Sequence, residues 1–170
     1  VIGMVNSSIP FLLYSFAALY LPGSLEAILN STAPLFGAIF SAIWLAERLT
    51  LRKAAGLALG IAGVVLVSSM DTFERTPMGS LAVAACLLAP ACYALAGIYV
   101  KRRASAVKPM AIAGGSQLAA GLVLLPLVFV FPPSQPVTLE IGALTAAFAL
   151  FCSAVAYLIY YRLISDIGPT

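Results

Sequence analysis

Glu26, Asn30 and Pro34 stand four residues apart, so on a helix turning 100° per residue they rise one above another along a single side, joined by Ala33, Gly37 and Ser41. Ile28, Leu35, Ile39 and Ala42 fall on the opposite side. A carboxylate, a carboxamide and a carbonyl that proline leaves without its N–H partner are groups able to hold a polar solute or a proton inside apolar surroundings. Each has two readings. Glu26, in the first turn, either is steadied by the helix dipole and reaches interfacial water, or binds a solute or a proton. Pro34 either opens a carbonyl to a ligand or makes a kink that the Ser31 or Asn30 side chain fills. Pro90 and Pro126 carry the same pair of readings.

Other segments show comparable stripes. Gly3, Asn6, Ser7, Pro10, Tyr14 and Ala17 share a side, as do Gly114, Gln117 and Gly121, and again Thr145, Ala149, Ser153, Ala156 and Tyr160. Small and polar residues collected this way face neighbouring helices rather than lipid. The pathway candidates are therefore Asn6, Tyr14, Glu26, Asn30, Pro34, Gln117, Ser153 and Tyr157, the last either lining a path or joining Tyr160 and Tyr161 in an interfacial belt. Gly56, Gly60 and Gly63 read as a ridge for helix packing. Glu47, next to Trp44 and close to Arg48, Arg52 and Lys53, reads as an interfacial anchor with local ion pairing.

The elements that position these groups follow from composition. Apolar residues make up 62% of the 170 and charged residues 9%, whereas a soluble domain carries about a quarter charged. Such a chain has no water-facing shell and is all-α, a bundle of membrane-spanning helices whose partner is the bilayer. Apolar runs broken by Pro, Gly or charge give six spans, at 1–21, 25–46, 51–70, 79–100, 109–131 and 139–162. Cys86, Cys92 and Cys152 lie within apolar runs, without CxxC spacing and with no His in the chain, and read as small packing residues rather than metal ligands.

Charge orders the spans. Eight of the nine Lys and Arg residues (Arg48, Arg52, Lys53, Lys101, Arg102, Arg103, Lys108 and Arg162) fall on every second connection, and Arg75 alone on the other side. This alternation is the positive-inside pattern, with the basic connections cytoplasmic. The net charge of +3 reads as membrane orientation, not as a nucleic-acid surface.

The run Asn30-Ser-Thr-Ala-Pro-Leu-Phe36, the Glu47-x-Leu49 that follows at the cytoplasmic end, and the glycines Gly56 to Gly63 before Val64 resemble the EamA-type branch of the drug/metabolite transporter superfamily. Tyr157 through Tyr161-Arg-Leu-Ile to Ile167-Gly-Pro-Thr170 is similar to the start of that family's second repeat signature. The resemblance implies a ten-helix carrier of two inverted five-helix repeats, the spans here matching the third to the eighth. Residues 1–70 would close the first repeat and residues 71–170 open the second, with two helices expected before Val1 and two after Thr170. It implies alternating access in the cell (inner) membrane, export of small metabolites or amino acids, and no cofactor. Proton coupling and a homodimer are left open.

Rival classes are an assembly subunit, which would show small-residue seams without the Glu26, Asn30 and Pro34 face, and a channel, which would show a ring of repeated polar groups. A membrane-embedded enzyme would need a nucleophile with a nearby base, a carboxylate pair or a phosphate-binding loop, none of which the sequence contains.

Overall fold

The computed structural model describes residues 1–46, 50–70, 76–104, 106–133 and 136–155. Contacts divide the chain into two units, Val1–Ala106 and Val107–Thr170. All regular elements among the described residues are helical.

The first unit begins with a wide π turn, Met4–Ser8, that leads into α1, Ile9–Ala17. Pro10 has no N–H to offer the Asn6 carbonyl, and its ring would crowd a regular helical turn behind it. The widened turn accommodates it, with the Ile9 N–H reaching the Met4 carbonyl. After a reversal at Pro22, α2 (Gly23–Asn30) and α3 (Ala33–Trp44) run on as a 22-residue apolar segment with a break at Ser31 and Thr32. At that break the Leu35 N–H bonds the Thr32 carbonyl rather than the Ser31 carbonyl one step back. Pro34 likewise brings no N–H to Asn30. Phe36, Phe40 and Trp44 form an aromatic ladder along α3, with ring centroids 5.9 and 5.2 Å apart, ending at the half-exposed indole.

α3 ends in a left-handed residue, Ala46, at φ 53°. That conformation usually closes a helix with Gly, because a Cβ crowds the carbonyl there. α4 (Leu51–Met70) follows, and α5 (Pro77–Arg103) completes the unit. The Thr76 side chain caps α5 by accepting from Gly79 N at 3.0 Å, while Lys101, Arg102 and Arg103 occupy its last turn, where the dipole favours cations.

α5 is the hub. α1, α2 and α3 all pack on it, and α4 touches α2 and α3. Lipid tails are as apolar as leucine, so close approach of backbones rather than hydrophobic exclusion holds such helices together. Ala82, Ala85, Cys86, Ala89 and Ala96 are buried as a seam along α5, and Ala82 and Cys86 cluster with Ala17, Leu21, Leu25 and Leu29 of the first two spans. Pro90 is buried within the same helix, which continues through it.

The second unit contains α6 (Pro109–Val130) and α7 (Leu139–Ala149), the latter continuing as a second π segment, Leu150–Val155. Thr138 caps α7 by accepting from Ile141 N at 3.3 Å. Large apolar side chains such as Leu59, Leu122, Phe129 and Leu139 are at least 70% exposed, which suits acyl chains and not water. Gly23–Trp44, Pro77–Arg103 and Met110–Val130 are each long and apolar enough to cross a bilayer, and the chain is a multi-pass membrane protein.

Candidate functional site

The first two spans place three of the expected residues together. α1 and α2 run in opposite directions from the turn at Pro22, which brings Tyr14 level with the end of α2. The Tyr14 hydroxyl donates to Asn30 Oδ1 at 2.7 Å. Glu26 stands one turn before Asn30 on the same side of α2, and it lies within electrostatic reach of Tyr14 and of Cys86 on α5. Its Oε1 is buried and accepts no hydrogen bond from any described residue. The helix start does not employ it either, since α2 carries no side-chain cap.

The break behind this corner disposes of its own hydroxyl protons. Ser31 Oγ donates to the Ile28 carbonyl and Thr32 Oγ1 to the Leu29 carbonyl, both at 2.6 Å. Of the two candidates for filling the gap at Pro34, Ser31 thus turns back one turn, while Asn30 is engaged by Tyr14. Pro34 itself is exposed, as is Asn30.

The side of the second span that packs against α5 is displaced from the expected one. Leu25, Leu29 and Thr32 are buried, with Glu26 and Ala33 partly covered at the flank. The polar stripe therefore borders the packed side and does not sit inside it. In the first span the expected stripe is the packed one: Gly3, Ser7, Pro10 and Ala17 are buried, and Asn6 and Tyr14 partly so. In α6 the buried stripe is Ala113, Ser116 and Ala120, one step around from the expected Gly114, Gln117 and Gly121; Gln117 is half-buried. Of the glycine ridge, Gly60 alone approaches a neighbour, with a Cβ there lying 3.0 Å from Leu35 Cδ2, while Gly56 and Gly63 meet nothing within 4 Å. Cys86 and Cys92 are buried, as packing residues should be, and Cys152 is exposed.

Glu47 and Tyr157 lie outside the described residues, as does the side chain of Ser153, whose backbone belongs to the second π segment. What sequence reasoning passed over is the α5 seam, although Ala82, Cys86 and Ala89 recur at helical spacing and could have been read from it.

Comparison with known proteins identifies the family of the chain. The EamA-like transporter family matches residues 1–69 and 80–170. The chain is 29% identical over 154 residues to the "Uncharacterized inner membrane transporter YedA" of Escherichia coli (strain K12), covering 87% of this chain and 47% of that protein. It is 27% identical over 135 residues to "Protein PecM" of Dickeya dadantii (strain 3937), covering 78% and 44% respectively. The chain thus spans about half the length of the curated relatives it matches. No solved structure is significantly similar to it. With its apolar helices, its proline-broken second span and a family match on both sides of residue 70, this chain belongs to the EamA-like transporter family.

Proposed function

We propose that the chain forms the central helices of a secondary carrier of the inner membrane, one that exports small metabolites or amino acids by alternating access. In this reading residues 1–70 close one five-helix repeat and residues 71–170 open an inverted second one, and the two take turns in exposing a shared path. The supporting observation is the corner at Tyr14, Asn30 and Glu26: a hydrogen-bonded pair and an unpartnered carboxylate oxygen beside a break in a spanning helix. Irregular backbone and buried charge at membrane depth are where carriers of this type hold solute. The similarity to YedA, an inner membrane transporter by name, favours the same membrane. Glu26 leaves room for proton coupling.

Reconstitution of the intact protein in liposomes tests the proposal. Saturable, solute-specific counterflow that falls in Tyr14→Phe and Asn30→Ala supports a carrier. Ohmic current without counterflow would identify a channel, and neither flux nor current with a panel of amines, amino acids and carboxylates would favour an assembly role.

A further inference from the structure

We infer that the corner at Tyr14, Asn30 and Glu26 is a receptor for an organic ammonium group, so that the solute is an amine; this rests on the carrier reading above. The reason is a one-sided supply of hydrogen-bonding groups. The Tyr14 proton is committed to Asn30 Oδ1, and the Ser31 and Thr32 protons to carbonyls of their own helix. What these residues have left to offer is lone pairs. The Glu26 Oε1 has no partner among the described residues, the Asn30 carbonyl faces a proline with no N–H, and the Ser31 carbonyl is passed over by Leu35. Among Tyr14, Glu26, Asn30, Ser31 and Thr32, the Asn30 amide N–H₂ is the side-chain donor left uncommitted.

Among the described residues, no cation neutralises the carboxylate. The described Lys and Arg residues are Arg52, Lys53, Lys101, Arg102, Arg103 and Lys108, all at helix ends or in connections. The nearest to the corner along α5 is Lys101, separated from Cys86 by roughly 22 Å of helix. A buried charge is tolerated when it is paired. An ammonium group brings both the opposite charge and three N–H donors, which matches an oxygen-rich, donor-poor corner. An anionic solute would meet like charge from Glu26.

The experiment is equilibrium binding of radiolabelled phenethylamine to the purified intact protein in detergent. Unlabelled benzylamine, phenylacetate and 2-phenylethanol serve as competitors of similar shape and differing charge. The expected result is saturable binding displaced by benzylamine but not by phenylacetate or 2-phenylethanol. Glu26→Gln should raise Kd roughly tenfold or more, as loss of a charge-assisted partner does, and Glu26→Asp should recover part of it. Absence of saturable phenethylamine binding, displacement by phenylacetate as readily as by benzylamine, or unchanged affinity in Glu26→Gln would overturn the inference. Should Glu26→Gln fail to fold, the competition series on the unaltered protein still decides. Amine binding that depends on Glu26 without flux of any solute would overturn the carrier reading and leave the amine site standing. Flux of phenylacetate but not of phenethylamine would do the reverse.

Discussion

The Tyr14 hydroxyl and Asn30 Oδ1 lie 2.7 Å apart, a side-chain bridge between two spans that run in opposite directions. Interhelical hydrogen bonds in membranes average about 0.6 kcal/mol and reach about 1.7. A double-mutant cycle of Tyr14→Phe and Asn30→Ala should therefore give a coupling of about 0.5 to 1.5 kcal/mol, read from reversible unfolding in mixed micelles. Each single variant should lower solute counterflow by more than it lowers stability. Additive effects would mean that the bridge is not formed in the membrane.

Gly60 differs from its two companions on α4. Gly56→Ala and Gly63→Ala should each stabilise the helix by up to about 1 kcal/mol, since alanine is the better helix former and neither site meets a neighbour. Gly60→Ala should gain less than half of that, because its Cβ would stand 3.0 Å from Leu35 Cδ2 and that side chain must move. Placed in a Leu35→Ala background, the same change should recover the full gain. Thermal unfolding of the detergent-solubilised protein reads all of these.

Ala46 holds φ 53° at the end of α3, a region costly for any residue with a Cβ. Ala46→Gly should raise stability by about 1 kcal/mol without altering solute binding. A lower melting temperature would show that the helix ends differently in the bilayer.

Orientation can be tested at the two ends of the same region. In a background without native cysteines, Cys at Met78, before the α5 seam, should react with a membrane-impermeant maleimide only from outside the cell. Cys at Val107, after Lys101–Arg103, should react only from the cytoplasmic side. Both positions are about half exposed, so burial does not confound the result. Labelling of both from one face would contradict the positive-inside order.

The spans were legible because lipid demands long apolar helices and charge marks their ends. The expected spans 51–70, 79–100 and 109–131 correspond to Leu51–Met70, Pro77–Arg103 and Pro109–Val130. Pro34 announced a break in the second span, and the structure places it at Ser31 and Thr32. Glu26, Asn30 and Tyr14 were each recognisable as polar groups on helical stripes, although the stripe of the second span borders its packed side, and their meeting depends on how α1 folds back at Pro22, which periodicity does not encode. Likewise the packed side of α2 is set by its partner. Leu25 and Leu29 turn inward because α5 offers Ala82 and Cys86, residues small enough to admit them, 50 or more positions further along the chain. The wide turn before α1 had a visible cause in Pro10, whereas Leu150–Val155 contains no proline and we have no physical account of its π geometry.

The turn at Met4–Ser8 bears on how sequences of this kind can change length. Because the Ile9 amide reaches back to Met4, that loop of helix already holds one residue beyond regular winding. Losing a residue there lets the coil tighten locally, while a loss between Phe11 and Ala17 would swing one side of the gap by about 100° and part Tyr14 from Asn30. Insertions and deletions among kindred chains should accordingly gather at the wide turn and avoid the stretch after it.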